Sequence, residues 1–572
     1  MQMHIIRYNR WLGQKLEDPD LTAELQAIQG DTDAIRERFA IDLSFGTAGM
    51  RGVIGAGTNR MNIYTVRRAT QGLAAWLNKA GENPSVAISF DSRIKSDLFA
   101  QQAAAVLAAN SVRVWLYPQL EPVPVLSFAV RRLGASAGVM ITASHNPAQY
   151  NGYKVYGPDG CQLSTAASGS VLGEIERLDV FDDVQIMPFD KALQDGLITF
   201  IGDDVLTAFT TAVTAQSIRP GLLAIADLQV VYSPLNGAGN VPVRRVLAAC
   251  GLKSLTVVPE QEYPDGNFPT CPYPNPEIRD TLNLGIELAK QKDADLVLAT
   301  DPDADRVGIA VRDTAGEYRL LTGNEVGVLL LNFICVGRKE AGTMPARPVA
   351  VKSIVSTPMA DEVARHHGVE LIDVLTGFKY IGEQILKLEQ KGEEDRFIFG
   401  FEESYGYLAG THVRDKDAVV ASMLICEMAA WYKAMHLDLY AAMQALYDTY
   451  GYYLNEVENF DFEGLAGMEK MDEIMAQQRK TPPEALAGLK VLKIADYQAH
   501  TLTDTDTGET APLELPASNV LRYTLEGGSG VTVRPSGTEP KVKVYYAIRA
   551  ANRREAEATH KALAAAMQPM LT

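Results

Sequence analysis

Residues 294–306 read ADLVLATDPDADR, an apolar run followed by a strongly acidic turn. The run at 295–299 predicts a buried β-strand, because short apolar segments of this length fill the core of a sheet. The acidic turn DPDADR follows at the carboxyl end of that strand, where open α/β sheets gather their ligand sites. This stretch therefore predicts an α/β fold with a polar site at a strand end.

The same pattern recurs along most of the chain. The run VAISFD at 86–91 precedes an alanine-rich segment that predicts a helix over 96–109, and this alternation is typical of a mostly parallel sheet covered by helices. Further β-rich runs of this kind lie at 228–239, 255–260, 294–306, 348–358, 369–377 and 397–404. We therefore predict three consecutive α/β units.

Three segments depart from that pattern. Residues 1 to about 40 have apolar residues at near-helical spacing and predict a charged helical arm that packs on the following domain. The last stretch, from residue 520, predicts β-strands with glycine turns and a helix at about 553–567, hence a separate α+β domain. Residues 415–447 predict one long helix, with a buried face formed by Val419, Val420, Leu424, Trp431 and Leu439.

Length and composition narrow the class of protein. With 572 residues, the chain is long enough for roughly four domains of about 150 residues each. Apolar residues make up 47% and charged residues 22%, which is ordinary for a globular protein, and the net charge of −18 disfavours a nucleic-acid partner. The apolar stretches are too short for a membrane span, and five cysteines without CxxC spacing favour a reducing cytoplasm.

The acidic turn is a candidate metal site. Asp301, Asp303 and Asp305 alternate along a loop at a strand end, so their carboxylates can converge on one hard cation such as Mg²⁺. Asp-rich Ca²⁺ loops carry a later Gly and Glu that are missing here. The alternative is a solvated acidic turn, but mutual repulsion among three close carboxylates favours a bound cation.

A second strand end carries a candidate nucleophile. The segment ITASHNP at 141–147 ends an apolar run from 137 to 141, and a strand-end Ser144 can present its hydroxyl to a ligand. His145 is adjacent in sequence, which does not by itself make it the base for Ser144. The alternative for an isolated S-H-N-P is a capping or turn serine.

Two further loops complete the polar set. In GFEESYG at 400–406, Glu402 and Ser404 supply the carboxylate and hydroxyl that orient sugar hydroxyls, although a plain polar loop is the alternative. In RPSGTEP at 534–540, guanidinium, hydroxyl and glycine N–H donors can cradle a phosphate, and the alternative is a surface turn. The residues of that cradle are Arg534, Ser536, Gly537 and Thr538. Together the four loops point to phosphoryl transfer.

These motifs, in this order, resemble the α-D-phosphohexomutase superfamily. The resemblance rests on SFGTAGMRG (44–52), TASHNP, NGYKVY (151–156), DPDADR, TGFKYIG (376–382), FEESYG and RPSGTEPK (534–541). It implies four domains around a central cleft, three of them similar α/β mixed-sheet domains and the last a C-terminal α+β domain. With the arm at 1–40, the expected domains are I at 41–204, II at 205–321, III at 322–450 and IV at 451–572. One departure is FEES, where many relatives carry Gly directly before the first Glu.

The resemblance also implies roles for individual residues. Ser144 would carry the phosphoryl group and bind Mg²⁺ together with Asp301, Asp303 and Asp305. Arg51 would help to bind the reacting phosphate, Arg306 would sit beside the metal, and the acid and base would come from Lys154, Lys416 and His145. Thr376, Gly377 and Lys379 would distinguish sugars, Glu402 and Ser404 would bind sugar hydroxyls, and Arg534, Ser536, Gly537 and Thr538 would hold the non-reacting phosphate.

The implied activity is the interconversion of glucose 1-phosphate and glucose 6-phosphate, with glucose 1,6-bisphosphate as intermediate and activator. Mannose and pentose phosphates remain alternative substrates, and a phosphoserine-dependent sugar phosphatase or a non-catalytic sugar-phosphate sensor are alternative functions. The expected partners are small sugar phosphates, without nucleic acid or membrane. A cytoplasmic monomer or weak homodimer is expected.

Overall fold

A computed structural model describes residues 3–46, 49–462, 464–536 and 541–571. The chain divides into two compact units. Unit 1 consists of Met1–Leu321, Ile381–Phe397 and Gly406–His436, and unit 2 of Thr322–Tyr380, Ile398–Tyr405 and Leu437–Thr572. The segment expected as domain III therefore contributes to both units, whereas the segments expected as domains I and II lie in unit 1.

The predicted N-terminal arm is helical. Its three helices are α1 (Met3–Leu12), α2 (Pro19–Ala27) and α3 (Thr32–Phe39). Asp18 and Asp31 cap α2 and α3, each accepting a hydrogen bond from a backbone N–H of the first turn. Trp11 is only 2% exposed, and its ring packs edge-on against Phe39, Tyr64 and Phe181. The arm is thus part of the hydrophobic core of unit 1.

The first sheet of unit 1 has six strands in the order β1-β5-β4-β2-β3-β6. Its strands are β1 (Gly49–Val53), β2 (Ser85–Phe90), β3 (Arg113–Leu116), β4 (Ala137–Ile141), β5 (Tyr150–Tyr156) and β6 (Ile198–Phe200). The helices are α4 (Ile63–Ala80), α5 (Ser96–Ala109), α6 (Val123–Leu133), α7 (Thr165–Ile175) and α8 (Phe189–Gln194). β2 and β4 run parallel with Phe90 paired to Ile141, so their carboxyl ends lie side by side. The predicted helix at 96–109 is confirmed.

The second sheet of unit 1 has five strands in the order β11-β10-β9-β7-β8. They are β7 (Gln229–Ser233), β8 (Ser254–Val257), β9 (Leu296–Thr300), β10 (Val307–Arg312) and β11 (Tyr318–Leu321). The helices are α9 (Asp203–Thr214), α10 (Leu222–Ile225), α11 (Asn240–Ala249), α12 (Pro259–Glu262) and α13 (Arg279–Lys292). All five residues of β9 are buried, as the apolar run before the acidic turn predicts.

The following segment supplies helices α14 (Gly323–Glu340), α15 (Met359–His367), α16 (Lys379–Glu389), α17 (Ala418–Ala434) and α18 (Leu439–Tyr450). Its strands are β12 (Val349–Ser353), β13 (Glu370–Val374), β14 (Phe397–Glu402) and β15 (Gly406–Leu408). β12 and β13 pair in parallel, as expected for an α/β unit. Within unit 2, β14 ends at Glu402, so the predicted sugar loop again follows a buried strand.

The single long helix predicted over 415–447 is wrong. Two helices replace it, and the break between them falls at His436, a non-glycine residue with φ of 60°, which no continuous α-helix accommodates. Asp438 then caps the second helix by accepting from the N–H of Ala441. Trp431 is half-buried, whereas Val419, Val420, Leu424 and Leu439 are buried as predicted.

The C-terminal segment forms an antiparallel sheet in unit 2, in agreement with the predicted α+β domain. Its strand order is β16-β23-β22-β21-β18-β19-β20, with β17 paired to β18. The strands are β16 (Tyr452–Asp461), β17 (Ala485–Leu486), β18 (Leu489–Asp496), β19 (Thr501–Asp504), β20 (Thr510–Pro512), β21 (Leu521–Leu525), β22 (Gly530–Pro535) and β23 (Lys541–Ala550). The helices are α19 (Gly464–Lys480) and α20 (Arg553–Met567).

In the described part of the chain, no single helix is long and apolar enough to cross a membrane. The helices α17 and α18 pass that test of length and composition only when they are joined across their break.

We expect Trp11→Ala to lower the free energy of unfolding by about 3–5 kcal/mol, because it leaves a cavity where four aromatic rings meet. Urea unfolding followed by far-UV circular dichroism measures the loss. Met3→Ala is the matched control, since Met3 lies in the same helix and is 63% exposed. An unfolding midpoint equal for the two variants would show that the arm does not contribute to the core.

Candidate active site

The serine loop begins where β4 ends, and Ser144 lies three residues beyond the strand. Its φ of 51° is left-handed, which is uncommon for a residue with a side chain. The Ser144 N–H donates to Thr142 Oγ1 at 2.8 Å, and Thr142 Oγ1 donates to Asp91 Oδ2 at 2.6 Å. Because β2 and β4 are in register, Asp91 stands beside this loop and can hold the turn.

The side chain of Arg93 binds the backbone of the serine loop. Its guanidinium donates to the backbone carbonyls of Pro147 and Tyr150 at 2.9 and 3.0 Å, and also to those of Ser144 and Asn146. The side chain is 3% exposed and stacks over the ring of Phe268. One rigid, buried cation thus satisfies four carbonyls of a loop that contains no regular structure between 142 and 149.

The metal loop faces this serine within unit 1. Ser144 Oγ donates to Asp301 Oδ2 at 2.7 Å and lies 3.2 Å from His145 Nδ1. Asp301 Oδ1 accepts the backbone N–H groups of Asp305 and Arg306 at 3.1 and 2.9 Å, which folds the acidic turn around it. The alternative prediction was that Ser144 is a capping or turn residue. Its backbone does lie in a turn, but its hydroxyl caps no helix and donates to the buried carboxylate of Asp301.

The three aspartates form a compact buried cluster. Asp301 and Asp303 are fully buried and Asp305 is 2% exposed, and one ligand oxygen of each lies within 4.8 Å of the others. The alternative of a solvated acidic turn is therefore wrong. Among the described residues this is the one group of three acidic, His or Cys side chains with such spacing.

Two lysines neutralise part of that cluster. Lys154 Nζ lies 2.8 Å from Asp303 Oδ2 and 3.7 Å from Asp305 Oδ2, and Lys416 Nζ lies 3.1 Å from Asp305 Oδ2. Lys416 also contacts Asp415 Oδ1 at 3.3 Å. The argument from the sequence assumed that a bound cation must offset the repulsion among the three carboxylates. The two lysines supply part of that positive charge, so a metal is not its only source.

The remaining oxygens fit a divalent cation. Asp303 Oδ1 and Asp305 Oδ1 are buried and have no hydrogen-bond partner among the described residues. Buried acceptors without partners are costly, and carboxylate oxygens are the ligands that Mg²⁺ prefers. Asp301, Asp303, Asp305 and the Ser144 hydroxyl would hold the ion.

The cluster shifts the proton affinities of its members. Burial, followed by the charges of Asp303 and Asp305, raises the pKa of Asp301 well above its usual value. Burial also opposes ionisation of Asp303, but the nearby Lys154 outweighs it and lowers the pKa of that carboxyl. The pKa of His145 falls well below its usual value because of burial and the charges of Arg306 and Arg51. The imidazole is therefore neutral near pH 7 in the metal-free protein.

The other predicted cations surround the same loops. Arg51 is exposed and donates to Asn146 Oδ1 at 2.9 Å, at the mouth of the serine loop. Arg306 forms a 2.5 Å ion pair with Glu277, and its Nε lies 3.8 Å from Asp305 Oδ1. Unit 1 thus brings together all nine residues predicted for its part of the site: Arg51, Ser144, His145, Lys154, Asp301, Asp303, Asp305, Arg306 and Lys416.

Unit 2 assembles a second group of predicted residues. Glu402 is 5% exposed, and its Oε1 accepts the N–H of Gly377 at 2.6 Å, which joins the two predicted sugar loops. Gly377 has φ of 124°, a conformation that favours glycine. The Thr376 hydroxyl is buried without a hydrogen-bond partner in the described chain, and Lys379 is 7% exposed with Nζ 5.0 Å from the ring centre of Tyr380.

The predicted phosphate cradle is partly described. Arg534 hydrogen-bonds Tyr545, whose pKa is raised by burial and by the charges of Glu403 and Glu402. Ser404 is half-buried, directly after those two carboxylates, and the Ser536 N–H donates to Lys541 O at 2.7 Å. Gly537 and Thr538 lie outside the described residues, so their predicted role stays a prediction.

Four residues that support the site escaped the sequence reasoning. Asp91 is the last residue of the predicted run VAISFD and Arg93 lies two residues beyond it, so their place at a strand end was the signal that could have found them. Asp415, 1% exposed, accepts from Tyr156 and Gln162 and so holds the neighbouring Lys416 in place. Glu403 accepts from Ser353 at 2.8 Å, and no pattern in the sequence links those two residues.

Comparison with known protein families defines the class. Family models of the four phosphoglucomutase/phosphomannomutase domains match in order: domain I over residues 42–180, domain II over 207–316, domain III over 322–450 and the C-terminal domain over 472–565. The chain therefore belongs to the phosphoglucomutase/phosphomannomutase family, within the α-D-phosphohexomutase superfamily, and has its four-domain architecture of mixed α/β sheets.

Individual relatives are consistent with that family. The chain is 39% identical over 518 residues to a phosphoglucomutase of Staphylococcus aureus strain MRSA252, an alignment that covers 90% of this chain and 91% of the relative. Parafusin, a phosphoglucomutase of Paramecium, has a similar fold in its open form, with a TM-score of 0.67 at 16% identity over 93% of this chain and 95% of that one. A family member from Burkholderia thailandensis has a TM-score of 0.65 at 17% identity over 92% and 97% of the two chains.

We expect two substitutions in the aspartate cluster to change Mg²⁺ affinity in opposite directions. Asp303→Asn should weaken Mg²⁺ binding by about tenfold or more, because a charged ligand becomes neutral. Lys154→Met should strengthen Mg²⁺ binding, because it removes the cation that competes for Asp303. Isothermal titration calorimetry measures both, and Lys79→Met, at a lysine whose side chain is 62% exposed, is the control. Unchanged affinity in Asp303→Asn would exclude this carboxylate as a ligand.

Proposed function

We propose that this protein is a phosphoglucomutase, which interconverts glucose 1-phosphate and glucose 6-phosphate. The observation that carries the proposal is the contact of 2.7 Å between Ser144 Oγ and Asp301 in a buried aspartate cluster. The extended similarity to phosphoglucomutases over 90% of the chain supports the same activity. A mutase of this kind exchanges one phosphoryl group with each end of its substrate.

In the proposed mechanism, Ser144 carries the phosphoryl group. The bond between phosphorus and Ser144 Oγ breaks as a sugar hydroxyl oxygen attacks phosphorus, and the sugar becomes glucose 1,6-bisphosphate. The proton of that hydroxyl must leave at the same time, and it can pass to His145 as the neutral imidazole, or to Lys154 or Lys416 once that lysine has lost its own proton. The left-handed turn at Ser144 keeps its oxygen aimed at the metal loop.

The second transfer reverses these roles. The bisphosphate presents its other phosphate to Ser144, the new phosphoserine forms, and the proton returns to the released sugar oxygen. Bound Mg²⁺ would neutralise charge on the transferring group, which is the main requirement of phosphoryl-transfer catalysis. Arg51 and Arg306 add positive charge beside the serine and metal loops, so that an anionic substrate is attracted despite the net charge of −18.

The group of residues in unit 2 is proposed to recognise the rest of the substrate. Glu402 and Ser404 can accept from and donate to sugar hydroxyls, and the loop at 376–379 is held against Glu402 by the Gly377 N–H. Arg534, with Ser536, Gly537 and Thr538, is proposed to bind the phosphate that is not reacting. A cradle that recognises charge can accept either phosphate, which a mutase requires.

The setting of the enzyme is also part of the proposal. All five cysteines lie among the described residues and none of them forms a disulfide; Cys161, Cys271, Cys335 and Cys426 are buried. Cysteines without disulfide bonds are typical of a reducing compartment. Together with a sugar-phosphate substrate, they support a cytoplasmic enzyme.

We expect Ser144→Ala to abolish turnover of glucose 1-phosphate while the fold persists, because the residue that carries the phosphoryl group is lost. A coupled assay for glucose 6-phosphate measures turnover, and mass spectrometry should find phosphate on the Ser144 peptide of the unsubstituted enzyme after exposure to glucose 1,6-bisphosphate. Ser170→Ala, at an exposed serine, is the matched control. Full activity in Ser144→Ala would remove the mechanism.

The same preparation tests the substrate. Glucose 1-phosphate should be turned over faster than mannose 1-phosphate, ribose 1-phosphate or deoxyribose 1-phosphate in parallel coupled assays. A preference for a pentose or mannose phosphate would assign the enzyme to that substrate instead. Stoichiometric release of inorganic phosphate, measured alongside, would identify a phosphatase.

We expect Arg93→Lys to lower kcat by about tenfold with KM little changed, because an ammonium group with three donors cannot hold four carbonyls of the serine loop. Steady-state kinetics with glucose 1-phosphate separates the two constants. Arg132→Lys, at an exposed arginine, is the control. If kcat stayed within about twofold of the unsubstituted enzyme, Arg93 would not position the nucleophile.

A further inference from the structure

The connection between α12 and α13 in unit 1 packs against the segment that carries Arg93. It runs over residues 263–278 and contains no helix or strand. Connections of this length without regular structure are uncommon in compact domains and usually have a function. Its residues 264–268 read PDGNF, contact residues 92–94, and are called the PDGNF loop below.

Gly266 brings the PDGNF loop into direct contact with the backbone of residues 92–94. A Cβ atom on Gly266 would lie 2.5 Å from Ile94 N, 2.7 Å from Ser92 O and 2.8 Å from the carbonyl carbon of Arg93. Atoms at these distances overlap, so a side chain at this position would push the two segments apart. The glycine therefore sets the short distance between them.

The same loop places an aromatic ring against Arg93. Phe268 is 1% exposed, and the guanidinium carbon of Arg93 lies over its ring, 5.1 Å from the ring centre. The φ of Phe268 is 47°, a left-handed conformation that is uncommon for a residue with a bulky side chain. The backbone is thus strained at the residue whose ring contacts Arg93, and such strain is concentrated at functional sites.

Hydrogen bonds within its own segment and to Asn236 hold the PDGNF loop in this shape. Asp265 Oδ1 accepts the Asn267 N–H at 2.9 Å, and the Phe268 N–H donates to Asp265 O at 3.2 Å. The Asp265 N–H donates to Asn236 O at 3.2 Å, and Asn236 Nδ2 donates to Tyr263 O at 2.8 Å. The position of the Phe268 ring is therefore fixed without any contribution from the serine loop.

The hydrogen bonds of Arg93 use the edges of its guanidinium and leave its faces for packing. Both terminal nitrogens donate to carbonyls of the serine loop, and Nε lies 3.4 Å from Asp91 Oδ2. A planar guanidinium binds acceptors at its edges and packs on aromatic rings with its faces. Because Arg93 and Phe268 are both shielded from water, their attraction is stronger than at an exposed site. The ring thus restrains the plane in which Arg93 reaches its four carbonyls.

The segment that supports the PDGNF loop also contacts the metal loop. Asn236 accepts from Asp265, and two residues later the Ala238 N–H donates to Pro302 O at 2.8 Å. One stretch of backbone is therefore bonded both to the loop that carries Phe268 and to the loop that carries the aspartates. The position of Arg93 is in this way fixed relative to Asp301.

We propose that Phe268 is a positioning residue for phosphoryl transfer: its ring holds Arg93, and Arg93 holds Ser144 beside Asp301. Gly266 is required for this role, because only a residue without a side chain lets the ring reach Arg93. The kinetic consequence rests on the proposed mutase function. The restraint on the serine loop is a property of the protein without substrate.

Steady-state kinetics with glucose 1-phosphate tests the kinetic consequence. Phe268→Leu should lower kcat by about threefold to tenfold with KM little changed, because Ser144 is present but is less often aligned with the metal loop. Phe39→Leu, at a fully buried phenylalanine of the N-terminal arm, should keep kcat within about twofold. An equal kcat in the two variants, or a change confined to KM, would overturn the proposal.

A double-mutant cycle shows whether Phe268 acts through Arg93. If it does, Phe268→Leu should lower kcat much less in the Arg93→Lys background than in the unsubstituted enzyme, because the contact that it supports is already lost. Effects of the two substitutions that simply multiply would show that Phe268 acts by another route. The proposed role would then be wrong.

Hydrogen exchange tests the restraint without substrate or turnover. Phe268→Leu and Gly266→Ala should each speed exchange by about threefold or more in peptides that cover residues 142–150, because the loop opens more often. Peptides of the C-terminal sheet should be unchanged, which shows that each variant is folded. Gly169→Ala is the control for Gly266→Ala, because Gly169 is exposed and a Cβ atom there would have no neighbour within 4 Å.

Unchanged exchange over 142–150 in both variants would overturn the restraint, and so would an equal increase in all peptides. Phe39→Leu should speed exchange in the N-terminal arm and leave 142–150 unchanged. If the unsubstituted protein did not convert glucose 1-phosphate, the proposed function would fail, while the exchange experiment would still decide whether Phe268 restrains the serine loop. Failure of the positioning role is therefore distinct from failure of the mutase function.

Discussion

The burial of three carboxylates in one loop is the constraint on which the site depends. Their ligand oxygens lie within 4.8 Å of one another, and burial removes the water that would screen their repulsion. Lys154 and Lys416, from two other segments of the chain, offset part of this charge. Oδ1 of Asp303 and Oδ1 of Asp305 still have no hydrogen-bond partner among the described residues, although Arg306 Nε lies 3.8 Å from Asp305 Oδ1. The cluster therefore keeps carboxylate oxygens that a divalent cation could bind, although two lysines already offset part of its negative charge.

A second set of contacts holds Ser144 in place independently of the charges in the aspartate cluster. Ser144 occupies a left-handed turn, and the turn is fixed by Thr142, Asp91 and the four carbonyl contacts of Arg93. These bonds are made by the carboxyl ends of β2 and β4, whose register places them side by side. The left-handed conformation of Ser144, which its own backbone does not favour, is thus maintained by these contacts.

The metal loop is hydrogen-bonded to other backbone segments as well as to Ser144. The Val123 N–H donates to Asp303 O at 3.0 Å, and the Ala238 N–H donates to Pro302 O at 2.8 Å. The loop of five residues therefore contacts Ser144 through Asp301 and two backbone segments through the carbonyls of Pro302 and Asp303.

Sequence alone determined the features that depend on local patterning. The strand at 296–300, the helices at 96–109 and 553–567 and the site loops at strand ends follow from apolar periods and from the place where each run stops. Only the tertiary structure decided which charges meet. The break at His436 and the contacts of Arg93, Asp415 and Glu403 join residues far apart in sequence or depend on backbone conformation, and no period in the chain encodes them. Register and packing set these contacts, because a side chain's partner is chosen by where its strand lies in the sheet.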